Sequence, residues 1–144
     1  MSEEPAVPQS VNLRSLMLGI GLLGALLLLT SVVTSVFVSQ SHGVLGIYAS
    51  LSAFAVCWIS GSLALTITAL TAGGIQAVSG MFGSIAVRTG VPLCFGVLAS
   101  LVGGPLVEAG LFGLLLIHYL VGLLCETVIA VVTISKPKLG APAS

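Results

Sequence analysis

The chain has 144 residues, of which 57% are hydrophobic and only 6% charged, and its formal net charge is zero. A soluble domain carries about 25% charged residues, so a surface of ordinary composition facing water is excluded. A basic surface for nucleic acid is excluded too, because four Lys and Arg residues are balanced by four Asp and Glu residues. The composition predicts an integral membrane protein, and the lipid bilayer is the partner that it predicts.

Four long apolar runs predict an all-α polytopic membrane protein, a four-transmembrane-helix bundle built from two antiparallel hairpins. About 20 apolar residues are needed for one helix to cross a bilayer. The first run is longer than the apolar region of a signal peptide and follows an acidic tail, so we interpret it as a retained anchor. Residues 1–13 and 135–144 are predicted to be cytoplasmic tails, the first of them disordered, around a transmembrane domain at 14–134. The predicted spans are about residues 16–38, 44–70, 77–102 and 106–134.

The positions of the basic residues predict the orientation of the bundle. Arg14 precedes the first span and Lys136 and Lys138 follow the fourth, whereas the turns at 39–43 and 103–105 contain no Lys or Arg. Basic residues favour the cytoplasmic side of a membrane. We therefore expect both termini to be cytoplasmic, in a bacterial plasma membrane.

Small residues are abundant, and glycine alone accounts for 18 positions. In lipid, small residues let two helices approach closely. Such residues predict either tight packing within the chain or a groove for a helix of another protein. Two sets spaced by four residues on one helix face are Ala53, Cys57 and Gly61 in the second span, and Gly80, Ser84 and Arg88 in the third.

Two ionisable side chains fall inside apolar runs, Arg88 in the third and Glu126 in the fourth. An unpaired charge in hydrocarbon costs about 2.5–3.5 kcal/mol on insertion scales. Both residues lie roughly 12–16 Å from the cytoplasmic ends of their runs at 1.5 Å per residue. This equal depth predicts an ion pair between Arg88 and Glu126. The alternatives are a proton or ion site, or an Arg88 that contacts a partner or reaches the headgroups.

Other polar residues of the fourth run are secondary candidates. His118 is predicted to be hydrogen-bonded in the bundle and not to bind a metal, because no second ligand stands three or four residues away. Tyr119 shares a helix face with Glu126 and is a candidate member of the same polar seam. His118 lies about 80° around the helix from Glu126, which disfavours a relay along one face. Glu108 is predicted at the start of the fourth helix, where a carboxylate suits the helix dipole.

Nothing in the sequence indicates enzymatic chemistry. No nucleotide-binding loop, zinc-protease motif or nucleophile elbow is present. Cys57, Cys94 and Cys125 lie in apolar runs without metal-ligand spacing, and we interpret them as free, buried thiols. We therefore expect no catalytic residues, no metal and no cofactor.

Two stretches carry a resemblance to a known family. Residues 83–93 (GSIAVRTGVPL) resemble the third helix of the ATP synthase protein I family, and residues 118–127 (HYLVGLLCET) resemble its last helix. Members of this family are small accessory membrane proteins with four helices. The resemblance implies a helper that binds membrane subunits of an F-type ATP synthase during assembly of the rotor ring, and a link to cation uptake.

Residues 125–127 (CET) also look superficially like the carboxylate site in the last helix of the proteolipid rotor subunit. Arg88 beside Glu126 disfavours this interpretation, because a neighbouring cation holds a carboxylate ionised. Three functions therefore stay open. They are an accessory or assembly protein, a small ion- or proton-conducting protein using Arg88 and Glu126, and a structural protein that only binds another. The sequence does not specify an oligomeric state.

Overall fold

The structure is a computed structural model that describes residues 13–71 and 77–135. Four helices in it are long and apolar enough to cross a membrane, which confirms the predicted all-α four-helix membrane fold. The helices are α1 (Leu13–His42), α2 (Val44–Thr71), α3 (Ala77–Val102), α4 (Pro105–Glu108) and α5 (Leu111–Ser135).

Most of the predicted tails lie outside the described residues. This applies to residues 1–12 and 136–144, and also to residues 72–76 in the predicted loop between the second and third spans. Helix α3 begins at Ala77.

The turn between the first two spans is shorter than predicted. Helix α1 continues through the polar residues to His42, and α2 begins at Val44. Gly43 alone reverses the chain, with a φ of 58° that favours a residue without a Cβ. Its backbone N–H donates to the Ser39 carbonyl at 2.9 Å, which ends α1.

The fourth run is not one continuous helix. Pro105 opens the short helix α4, and Gly110, with a φ of 81°, separates α4 from α5. The membrane span therefore begins at Leu111 and not near residue 106. Glu108 belongs to α4 and is exposed, so it does not open the membrane-spanning helix as predicted.

Helices α2 and α5 pack against each other in the middle of the bundle. Helix α1 lies on one side of this pair and contacts both, whereas α3 lies on the other side, packing extensively on α2 and only lightly on α5. The hairpin of α1 and α2 is thus tightly joined, and the hairpin of α3 and α5 is loosely joined.

The core is made of leucines and very small residues. Leu23 and Leu27 of α1 are fully buried and belong to one core cluster with the small residues Ala49, Ala53 and Cys57 of α2. Large apolar side chains point outward all round, and at most 28% of each candidate span is buried within the chain. Large apolar side chains on the outer surface are what a membrane protein needs, because these side chains contact the hydrocarbon of the bilayer.

Candidate functional site

The predicted ion pair is present at the centre of the bundle. The guanidinium of Arg88 on α3 pairs with the carboxylate of Glu126 on α5. Arg88 and Glu126 lie roughly 17 Å and 13 Å, respectively, from the nearer ends of their helices at 1.5 Å per residue. The hydrocarbon core of a bilayer is about 30 Å thick, so the pair lies close to the membrane midplane.

Two glycines make room for the charged groups between closely spaced helices. A Cβ at Gly122 would lie 3.6 Å from Nη2 of Arg88, so the arginine crosses α5 over this glycine. A Cβ at Gly61 on α2 would lie 3.8 Å from Oε1 of Glu126 and 2.7 Å from Cδ2 of Leu23. The side chains of Arg88 and Glu126 keep 13% and 19% of their surface exposed, so the pair is mostly, but not completely, enclosed by the surrounding helices.

The predicted small-residue faces contact neighbouring helices. Ala53, Cys57 and Gly61 are buried on α2, and the Cys57 thiol lies 3.8 Å from the Leu115 carbonyl of α5. These contacts account for the α2 set by packing within the chain.

The α3 set is only partly enclosed. Gly80 is buried directly against the side chain of Thr71 on α2, and a Cβ there would overlap that side chain. Ser84 is half-buried. The close approach of α3 to α2 therefore depends on Gly80 more than on Ser84, and the alternative of a groove for another protein stays a prediction.

Tyr119 joins α5 to α3 beside the ion pair. Its hydroxyl lies 3.2 Å from the hydroxyl of Thr89, the residue that follows Arg88. Tyr119 therefore belongs to the polar seam, as the helix-face argument predicts, but its partner is Thr89. Sequence reasoning missed Thr89, although its position next to the membrane arginine is a usable signal.

His118 is fully buried on the inner side of α5, with 0% of its surface exposed. Its Nδ1 lies 2.8 Å from the Leu114 carbonyl one turn earlier, so its hydrogen bond stays within its own helix. A cavity of about 10 Å³ is lined by both His118 and Glu126. The sequence disfavours a link between these two residues, yet both line this cavity.

A second polar cluster joins the tight hairpin and was missed by the sequence analysis. The hydroxyl of Ser50 on α2 lies 3.1 Å from the hydroxyl of Ser31 and 2.8 Å from that of Thr34, both on α1. It also donates to the Ser31 carbonyl at 3.1 Å. Hydroxyls are frequent in these spans, so their frequency alone does not identify the three that meet.

The three thiols differ in their surroundings. Cys57 is buried, Cys125 is partly buried and Cys94 is exposed, so the prediction of a buried thiol is wrong for Cys94. Cys94 lies on a side of α3 that no other described helix covers. Among residues 13–71 and 77–135, no group of three His, Cys, Asp or Glu side chains is placed to hold a metal ion.

Comparisons with protein-family models, curated proteins and solved structures found no match to this chain. What the site can do follows from its own geometry. It holds one cation and one anion at mid-membrane depth, beside a hydroxyl bridge and a small polar cavity.

Proposed function

We propose that this chain is an accessory membrane protein that assists assembly of a larger membrane complex, and that the complex is the rotor ring of an F-type ATP synthase. The observation that carries the proposal is the Arg88–Glu126 pair, which lies at mid-membrane depth between two loosely joined helices.

An arginine in this place is suited to meeting a carboxylate of another protein. The guanidinium stays charged and has five N–H donors in a planar fork, more than one carboxylate can occupy. Arg88 also retains some exposure, so a second carboxylate could approach it by a side-chain rearrangement. The resemblance described above implies rotor subunits as partners, and these carry a carboxylate in a membrane helix.

The pair would then act as an exchangeable contact. Arg88 would pair with the carboxylate of an incoming rotor subunit. When the subunit is released, Arg88 would pair with Glu126 alone again. While the subunit is held, two carboxylates would share one guanidinium, so one of the two would have to bind a proton to avoid the cost that an unpaired membrane charge carries.

The distribution of polar groups favours binding over conduction. Along the candidate spans, Arg88 and Glu126 are the only residues of the Asp, Glu, Lys and Arg types. The hydroxyls described on α1 and α2 bond mainly to their own helix backbones or to one another. A conducting protein needs a polar path shared by several helices.

The test is coexpression of the tagged chain with the rotor subunit of the same organism. We expect the rotor subunit to copurify with the wild-type chain and with the Arg14→Gln control, which removes an exposed cation at the helix end. Arg88→Gln should abolish copurification, because no cation remains for the partner carboxylate. The double variant Arg88→Gln, Glu126→Gln should remain folded, since it leaves no unpaired charge, and should also fail to bind. Retention of the rotor subunit by Arg88→Gln would contradict the proposal.

A second candidate function is proton or ion conduction, which the polar cavity beside Glu126 favours. Its test is proton or cation flux into liposomes containing the purified chain, compared with Glu126→Gln. A flux that disappears in Glu126→Gln would favour conduction over the assembly proposal. A wild-type chain that produces no flux above empty liposomes would exclude it.

A further inference from the structure

A cleft of about 100 Å³ lies between the two loosely joined helices, with a lining of three residues from α3 and four from α5. Its floor is closed, because Pro92 of α3 and Leu115 of α5 are buried. Its rim is open, because Leu93, Phe112 and Leu116 are each more than half exposed. This α3–α5 cleft therefore opens on the outer surface of the bundle and not toward its core.

Two contacts between the helices bound the cleft along the helix axes. At one end the hydroxyls of Thr89 and Tyr119, both lining residues, lie 3.2 Å apart. At the other end α3 meets α5 at Gly96, where a Cβ would lie 3.0 Å from Cδ2 of Phe112. The cleft is thus a gap of defined length within the α3–α5 hairpin.

The cleft lies within the hydrocarbon of one leaflet. The span of α5 begins at Leu111, and the lining on that helix extends from Phe112 to Tyr119, about 10 Å at 1.5 Å per residue. One leaflet contributes about 15 Å of hydrocarbon, which is half of the bilayer core. The cleft therefore runs from near the α3–α5 turn toward the midplane, in the same direction as the acyl chains of that leaflet.

The lining is apolar except for the hydroxyls of Thr89 and Tyr119, which lie within hydrogen-bond distance of each other. An apolar cavity of about 150 Å³ holds a molecule as small as benzene, so a gap of this size takes a short stretch of hydrocarbon. The exposed rim is continuous with the apolar outer surface that contacts the bilayer. A hydrocarbon chain can therefore enter the cleft from the bilayer without passing a polar barrier.

We propose that the α3–α5 cleft binds the terminal part of one acyl chain of a membrane lipid. The chain is held by dispersion contacts with two helices and a buried floor, because an unfilled gap loses such contacts. Removal from water contributes nothing here, since lipid tails are as apolar as leucine. Annular lipid elsewhere on the bundle lacks this floor and is held less firmly. The proposal is independent of the assembly function.

The experiment is photo-crosslinking of the full chain in phosphatidylcholine vesicles. A small fraction of the phosphatidylcholine carries a diazirine near the end of one acyl chain, and the crosslinked residues are mapped by mass spectrometry. We expect Leu93 and Leu116 at the cleft to be labelled more strongly than Leu29 and Val32 on α1, although all four are more than half exposed. Equal labelling of the two sets would mean annular lipid only and would overturn the proposal.

Leu93→Trp and Leu98→Trp on α3 are matched variants. Leu93 lines the cleft and Leu98 does not, and their exposed fractions are 55% and 61%. Leu93→Trp puts a larger side chain at the rim and should lower the labelling of Leu116 on α5 to the level of Leu29. Leu98→Trp should leave the labelling of Leu116 unchanged.

Two further results would overturn the proposal. One is a Leu93→Trp chain in which Leu116 keeps its wild-type labelling, because the larger side chain would then displace no lipid. The other is a wild-type chain in which Leu116 is not labelled at all, which would indicate that a second copy or another protein covers the cleft. The wild-type result stands without any variant, so a variant that fails to fold does not protect the proposal.

Discussion

Arg88 and Glu126 stabilise the bundle as a pair, whereas either charge without its partner would destabilise it. Removing one partner of a buried ion pair leaves an uncompensated charge and costs about 3–5 kcal/mol in a sealed site. Because this pair keeps some exposure, we expect Arg88→Ala to lower the free energy of unfolding by about 2–3 kcal/mol, which is at or below the lower limit of that range. The measurement is unfolding in mixed detergent micelles, followed by helical circular dichroism.

The double variant Arg88→Ala, Glu126→Gln decides whether the two residues interact. Neutralising Glu126 removes the unpaired anion that Arg88→Ala creates, so part of the lost stability should return. Residues that do not interact give additive losses. A double variant less stable than Arg88→Ala would therefore contradict the pairing.

Ser50 is the centre of the hydroxyl cluster between α1 and α2. Ser50→Ala removes contacts to Ser31 and Thr34, and hydrogen bonds between membrane helices contribute about 0.6 kcal/mol on average and up to about 1.7. We expect a loss of about 1 kcal/mol in the unfolding titration. The control is Ser52→Ala on the same helix, whose hydroxyl bonds only to the nearby Ala49 carbonyl. Equal losses in the two variants would show that the cluster adds nothing between the helices.

The sequence predicts the ion pair but not the surroundings of His118. Two opposite charges at equal depth on consecutive spans have few other possible partners in hydrocarbon. The pairing of Arg88 with Glu126 could therefore be predicted from their spacing alone. A histidine has several possible partners, and the choice depends on how the helices rotate about their axes. That rotation is set by packing, which a single apolar sequence does not encode in a readable pattern.

At the scale of elements, Gly80 controls how closely α3 approaches α2. A Cβ at Gly80 would overlap the side chain of Thr71, including its Cβ atom, which the backbone holds in place, so rotation of the Thr71 side chain cannot relieve the overlap. Forcing extra volume into such a contact costs about 1–3 kcal/mol. We expect Gly80→Ala to lower the free energy of unfolding by this amount, measured in the same detergent titration.

Gly83 is the matched control on α3, about one turn later, because a Cβ there would have no neighbour within 4 Å. Gly83→Ala should be neutral or slightly stabilising, since alanine favours helix over glycine. If Gly83→Ala costs as much as Gly80→Ala, the loss comes from the helix backbone and not from the contact with Thr71.

The existence of the helices could be predicted much better than their ends. Long uncharged apolar runs of this length form helices in lipid, because a helix pairs the backbone N–H and C=O groups within its own segment. The ends depend on single residues. Gly43 reverses the chain within one residue and Gly110 divides the fourth run, yet similar glycines such as Gly90 lie inside helices. Glycine therefore marks a possible break without deciding where it occurs.

At the scale of the molecule, the bundle combines well-packed interfaces with one loose side, between α3 and α5. Helices α1, α2 and α5 share the buried core, whereas α3 rests mainly on α2 and touches α5 lightly. The Arg88–Glu126 pair and the Tyr119–Thr89 bridge are polar contacts that hold the loose side. A partner that competes for Arg88 would thus act on the less firmly packed interface, where a rearrangement disturbs the core least.

The orientation of the whole bundle is the remaining property that the basic residues predict. In a cysteine-free variant, single cysteines at Ser41 and Val102 should react with a membrane-impermeant maleimide from outside the cell, because the orientation predicted from the basic residues places the α1–α2 and α3–α5 turns on that side. Cysteines at Ser10 and Ala141 should react only after the membrane is opened. Ser41 and Val102 lie at exposed helix ends, so slow labelling there would not reflect burial in the protein. If the cysteines at positions 41 and 102 are labelled from opposite sides, the four-span arrangement is wrong. If both are labelled only from the cytoplasm, the orientation inferred from Arg14 and the C-terminal lysines is wrong.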